Sequence, residues 1–221
     1  PFPLLTIPLF VLAGRLMEVG GMANRMIGIA TTLVGAYRGS MGLVTVFACM
    51  LFAALSGLGP ATTAAIGSVT VPAMKREGYD IPFAAAITAS AGALGSLIPP
   101  SNLLIIYGLV SETSIPRLFL AGLLPGLMIT ILLMITTYII ARRRGYGGNG
   151  DPFSWGPFLK AAWDGKWSIG APILILGGIY GGAFTPTEAA GVAVFYSLFV
   201  GLFIYRELTL KKRIDALRFT A

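Results

Sequence analysis

The sequence predicts an all-α polytopic membrane protein, and three observations carry that expectation. Apolar residues make up 56% of the 221-residue chain and charged residues 11%, too few charges to cover a water-facing surface of this size. Unbroken apolar stretches recur from the first residues to about Tyr205. Several are near the ~20 residues that an α-helix needs to cross hydrocarbon, and none alternates as a barrel strand would. The basic residues sit in short clusters between those stretches, at Lys75-Arg76, Arg142-Arg143-Arg144 and Lys211-Lys212-Arg213. Clusters so placed follow the positive-inside rule for cytoplasmic loops, so the net charge of +7 marks orientation and not a nucleic-acid-binding face.

The elements follow in order. Pro1-Phe2-Pro3 runs straight into apolar residues with no initiator Met and no basic leader, which reads as an internal fragment. Arg15 and Glu18 stand one helical turn apart and are expected to form an ion pair at a helix end. Met41 to Met74 is bounded by Arg38 and by Lys75-Arg76, both cytoplasmic by the same rule, yet is interrupted at Ser56-Gly-Leu-Gly-Pro60. At ~1.5 Å per residue each leg reaches only about 20 Å, short of the ~30 Å hydrocarbon core. Two short legs that return to one side make a re-entrant helical hairpin with its tip inside the membrane. Non-helical backbone at that depth survives only when buried in protein or lining a wet cavity.

Ile81 to Val110 is too long for one straight crossing and is broken at Ile98-Pro99-Pro100-Ser101, where two prolines remove amide donors. Within it, Ala84 to Ser96 is almost wholly small residues, which lets helices approach closely. Leu118 to Ala141 is a full span that ends at the cytoplasmic Arg142, so it starts outside, near Ser111 to Pro116. Trp155, Phe158, Leu159, Ala162 and Trp163 fall at helical spacing in a segment from Phe153 that is expected to lie along the cytoplasmic interface. Trp167 to Phe184 and Ala189 to Tyr205 read as a helical hairpin with its tip outside. The tip, Thr185-Pro-Thr-Glu188, is a capping box with Pro at the first helical position.

A hairpin tip and a broken span at similar depth are the device by which transporters present helix ends and free carbonyls to ions and substrates. In Ser56-Gly-Leu-Gly-Pro-Ala-Thr-Thr-Ala-Ala-Ile-Gly-Ser68 the turn exposes carbonyl oxygens to a cation, and the new helix N-terminus with Thr62 and Thr63 favours an anionic group. The structural alternative is a packed glycine kink with the hydroxyls bonded back to their own helix. Ser101 and Asn102, just beyond the break, join Thr62 and Thr63 as candidate substrate contacts; the Asn102 amide finds either a neighbouring helix or a ligand. Cys49 is the only cysteine and histidine is absent, so thiolate metal sites, imidazole ligands and a disulfide framework are excluded. No intramembrane Asp or Glu cluster marks a proton path, which favours sodium over protons as the driving ion.

With these residues in view the chain resembles the large membrane subunit of the tripartite ATP-independent periplasmic (TRAP) transporters, the dicarboxylate-permease type. The resemblance rests on Pro8-Leu-Phe-Val-Leu-Ala-Gly14, the hairpin Ser56 to Ser68 with Val71-Pro-Ala-Met-Lys-Arg-Glu-Gly-Tyr79, and Ile98-Pro-Pro-Ser-Asn-Leu-Leu-Ile-Ile-Tyr-Gly108. Phe119-Leu-Ala-Gly-Leu-Leu-Pro-Gly126 and Gly177-Gly-Ile-Tyr-Gly-Gly-Ala-Phe-Thr-Pro-Thr-Glu-Ala-Ala190 extend it over nearly the whole chain. The resemblance implies a sodium-driven elevator transporter in the bacterial inner membrane that imports small organic acids. It works with a small membrane subunit and a periplasmic substrate-binding protein, and needs no cofactor beyond the coupling ion. The family is built from two inverted repeats, and this chain covers most of the first.

On that pattern residues 1–40 form a scaffold-type helix and an amphipathic connector, and 41–141 carry the transport-domain elements: hairpin 41–74, broken helix 81–110 and helix 118–141. Residues 142–166 are a cytoplasmic interfacial loop, 167–205 a helical hairpin and 206–221 a cytoplasmic basic segment. The family's first sodium site maps to Ser56 and Leu58 with backbone oxygens near Gly95, Ile98 and Pro100. Leu58 departs from the serine common there, so only its carbonyl is available to an ion.

Three rival readings remain. A divalent-anion/sodium symporter would carry a different hairpin sequence, and a scaffold subunit would need no broken helices. A membrane enzyme is opposed by the absence of HExxH and GxSxG motifs.

Overall fold

The computed structural model describes residues 5–35, 39–146 and 154–220, and among them every regular element is helical. Pro1 to Pro3, Arg38 and Phe153 lie outside the described residues. Helix α1 (Thr6–Val19) meets α2 (Met22–Val34) at Gly20-Gly21 with a bend of 66°. The apolar side of α2 buries Met22, Met26, Ile29 and Ala30 at i, i+4 and i+3 spacing, while Asn24 is exposed. The first forty residues thus hold a bent pair of helices.

Helices α3 (Ser40–Ser56) and α4 (Gly59–Arg76) form an antiparallel hairpin joined by Gly57 and Leu58 alone. Their open ends lie together, since Thr45 of α3 faces the Met74 sulfur of α4 at 3.9 Å. The legs are longer than the sequence spacing implied, about 25 and 27 Å at 1.5 Å per residue, and still short of a ~30 Å hydrocarbon core. Helix α3 is buried round most of its circumference, with Val44, Val46, Cys49, Phe52 and Leu55 all inside, so it is the core of this half of the molecule.

The next run is broken as two tandem prolines require. Helix α5 (Ile81–Gly92) tightens into one 3₁₀ turn at Ala93–Ser96, and helix begins again at α6 (Asn102–Val110). The amides of Leu97 and Ile98 both turn back to the Leu94 carbonyl, at 3.0 and 2.8 Å, and the Pro99–Pro100 peptide is cis. The small residues of α5 let it lie against both α3 and α4: a Cβ built on Gly67 would stand 2.8 Å from the Thr88 methyl.

Helix α7 (Ile115–Arg144) is 30 residues long and exposes Leu120, Leu124, Ile131 and Leu132, the apolar surface expected of a helix against lipid. Helix α8 (Trp155–Asp164) buries no residue and exposes Trp155, Leu159 and Trp163. Helices α9 (Lys166–Tyr180) and α10 (Pro186–Phe199) form a second hairpin, and a π turn at Val200–Ile204 extends α10. At its tip the Thr185 hydroxyl accepts from the Glu188 amide at 3.3 Å and the Glu188 carboxylate accepts from the Thr185 amide at 2.8 Å, so the capping box forms as read.

The final basic segment folds into α11 (Leu210–Thr220), where no helix was expected. It docks on α1 through Leu208 and Ala216 around Leu16, and Lys212 donates to the Val19 carbonyl at 3.0 Å. By length and composition α7 and the extended α10 suffice to cross a membrane, and the bent α1–α2 pair is a third span if taken as one.

Candidate functional site

The hairpin tip and the break between α5 and α6 are in direct contact. Gly57 adopts φ 60°, a left-handed conformation that closes α3, and a Cβ there would collide with the Pro100 carbonyl oxygen. Its carbonyl accepts from the Asn102 amide at 3.1 Å, so the first turn of α6 is tied to the tip. Gly95 lies against the other side of the turn: a Cβ there would stand 2.6 Å from the Leu58 carbonyl oxygen and 2.5 Å from the Thr62 hydroxyl. Only glycine fits.

Three oxygens converge at this contact. The Ser56 and Thr62 hydroxyls are hydrogen-bonded at 2.7 Å, Thr62 donates onward to the Leu58 carbonyl at 2.9 Å, and the Ser56 oxygen lies 3.4 Å from that same carbonyl. Ser56 and Thr62 are buried. Around a hard cation, oxygens at ~2.3–2.6 Å that subtend a right angle stand about 3.3–3.7 Å apart, so one edge of this triangle already has that length and the two hydrogen-bonded edges must open by about 0.5 Å. Leu58 enters through its backbone, as its side chain demands. Thr62, which the sequence reading grouped with the substrate contacts, stands with Ser56, because one helical turn carries it back over the Leu58 carbonyl. Among the described residues no group of three or more His, Cys, Asp or Glu side chains could hold a metal, and the triangle itself offers only neutral oxygens.

The remaining candidates are distributed around this centre. Thr63 donates to the Gly59 carbonyl at 3.0 Å and packs against Gly92. Ser101 caps α6, accepting from the Leu104 amide at 3.4 Å while donating to the Ser96 carbonyl at 2.5 Å across the break. Ile98 is buried with Ala53 and Leu94, which locks the break to α3. Asn102 is 2% exposed, and among the described residues both polar atoms of its amide lack a partner.

One contact at this centre had no sequence signal, because its two residues lie 42 positions apart. A Cβ on Gly14 of α1 would meet the Ser56 backbone at 2.9 Å, so α1 crosses directly over the tip. The cleft left between them is lined by Arg15, Glu18, Ser56, Leu58 and Ala61 and holds about 10 Å³. That is roughly the space one water needs, enough for a small ion and far too little for an organic acid. The Arg15–Glu18 ion pair forms as expected, at 2.7 Å, on the wall of this cleft.

Helices with exposed apolar faces, a short-legged hairpin and a broken helix touching its tip define a class: polytopic helical membrane proteins with discontinuous helices. The model of the family described as the tripartite ATP-independent periplasmic transporter, DctM component, matches residues 1–221, and the chain belongs to this family. It is 47% identical to the C4-dicarboxylate TRAP transporter large permease protein of Pseudomonas aeruginosa, over 96% of this chain and 49% of the relative. It is also 47% identical to the isethionate TRAP transporter permease protein of Oleidesulfovibrio alaskensis, over 94% of this chain and 33% of the relative. The sialic acid TRAP transporter large permease protein of Vibrio cholerae is 42% identical over 99% of this chain and 51% of its own length. The chain spans a third to a half of the curated relatives it matches.

Proposed function

We propose that this chain is the first-repeat part of the large membrane subunit of a sodium-coupled, binding-protein-dependent importer of small organic acids in the bacterial inner membrane. The hairpin α3–α4 is re-entrant, and together with α5, α6 and α7 it moves as an elevator past a scaffold to which α1 and α10 belong. A small membrane subunit and a periplasmic binding protein complete the system. The relatives named for dicarboxylate, isethionate and sialic acid transport support an organic anion as cargo.

The observation that carries the sodium reading is the oxygen triangle of Ser56, Leu58 and Thr62 closed by Gly95 and Pro100. A sodium ion there is held by the two hydroxyls and the Leu58 carbonyl, with further backbone oxygens from the Gly95–Pro100 break, once the hydroxyl hydrogens rotate away. Thr63, Ser101 and Asn102 lie beside it, on the α4 and α6 helix starts that face an anionic substrate. Asn102 is the best placed to bond one, having no other partner among the described residues.

Uptake by the full-length transporter in proteoliposomes, measured across a sodium series, tests the assignment. Ser56→Ala removes one of three oxygens and is expected to raise the half-saturating sodium concentration about tenfold, the effect of a ~1.4 kcal/mol loss, at unchanged insertion. An unchanged sodium dependence in this variant excludes the site.

A further inference from the structure

Away from the tip, an open basin of about 560 Å³ lies between α2, the turn joining α8 to α9, and the end of α10. Charges of both signs and aromatic rings line it. Arg25 is already committed: it pairs with Glu207 at 2.8 Å, donates to the Gly21 carbonyl at 2.8 Å and stacks 3.5 Å above the Tyr205 ring. Lys166 is not. Its ammonium sits 3.5 Å from the centre of the Trp163 ring and 5.8 Å from that of Trp167, and among the described residues it bonds no acceptor. The Asp164 carboxylate, two positions away on the same rim, likewise bonds no donor among the described residues. The basin therefore offers, among the described residues, a cation with no bonded acceptor and a carboxylate with no bonded donor.

Its surroundings say what kind of ligand has both charges. Helix α8 runs into the basin with Trp155, Leu159 and Trp163 all exposed, an apolar edge of the sort that lies at the lipid headgroup level. Two indoles on the rim of a charged basin match a ligand with a polar head and an apolar continuation.

We propose that this basin seats the headgroup of a zwitterionic phospholipid bearing a primary ammonium, its phosphate on Lys166 and its ammonium on Asp164. An anionic lipid would bring Asp164 no counter-charge, and a choline head has no N–H to donate to it. The proposal uses no feature of the sodium site, and its test reads no transport.

The test is lipid binding to the delipidated full-length transporter, followed by native mass spectrometry with phosphatidylethanolamine, phosphatidylcholine, phosphatidylglycerol or inorganic phosphate added in turn. Phosphatidylethanolamine is expected to bind most tightly. Lys166→Ala and the isosteric Asp164→Asn are each expected to weaken it by up to about fivefold, the effect of ~1 kcal/mol for an exposed ion pair; Arg142→Ala, at the end of α7, leaves it unchanged. Wild-type binding by both basin variants overturns the site. Equal binding of the choline or glycerol lipid overturns the ammonium assignment, and tight binding of inorganic phosphate alone overturns the lipid.

Discussion

Asn102 holds a buried amide with no partner among the described residues. A buried amide without partners costs about 1–3 kcal/mol relative to one that is bonded, so its retention at the break works against stability. Asn102→Ala, which removes the unpaired amide without adding bulk to a buried position, is therefore expected to leave the unfolding temperature of the full-length transporter unchanged or raised while reducing uptake. A variant that loses stability yet transports normally would show that the amide is a packing element. Asn102 was legible beforehand as a polar amide in an apolar run, and Ser56 and Thr62 as hydroxyls in a glycine-rich turn. The bond between those hydroxyls was not, because it depends on how sharply the chain reverses at Gly57.

At the scale of elements, the base of the α3–α4 hairpin is held by residues that the sequence did not single out. The Tyr79 hydroxyl accepts from the Gly42 amide at 3.3 Å; that amide, in the first turn of α3, has no partner within its own helix. Burial pushes the Tyr79 phenol up to about 12, so it stays protonated and this bond is insensitive to physiological pH. Tyr79 also stacks on Tyr146, with ring centres 4.7 Å apart, while Arg144 and Asp80 pair at 2.9 Å nearer the surface.

The two links differ in weight. Tyr79→Phe leaves a buried donor unsatisfied and is expected to cost about 1–3 kcal/mol. Asp80→Asn weakens a pair whose side chains are more than half exposed and is expected to cost under ~1 kcal/mol. Thermal unfolding of the two full-length variants decides; an equal or reversed ranking would mean that the surface pair is the true clamp.

For the whole molecule, sidedness is the property that everything else presumes. Helix α7 is about 45 Å long at 1.5 Å per residue, more than a ~30 Å core requires, so its arginine end stands clear of hydrocarbon. On the proposed topology a cysteine at Ala183, exposed at the α9–α10 tip, reacts with an impermeant thiol reagent from the periplasm only, and one at Arg143 from the cytoplasm only. Cys49 is fully buried and gives little background. Reaction of the Ala183→Cys thiol from the cytoplasmic side alone would invert the topology and, with it, the placing of the lipid basin.

The helical class, the interruptions at Gly57 and Pro99-Pro100, the Thr185–Glu188 cap and the Arg15–Glu18 pair all follow from local sequence. Each of these is set by neighbours within a turn or two of chain: apolar length, missing amide donors, side chains three residues apart. Which interruptions meet is set by contacts between distant segments. Gly14, Ser56, Gly95 and Asn102 come from four separate helical segments, and their contact depends on glycines that allow backbones to within about 3 Å of a would-be side chain. The same holds for α11, whose polar sequence carries too little apolar surface to forecast a helix and which is held by its docking on Leu16 and Val19. Local rules set the breaks, and close packing between distant segments turned two of them into one site.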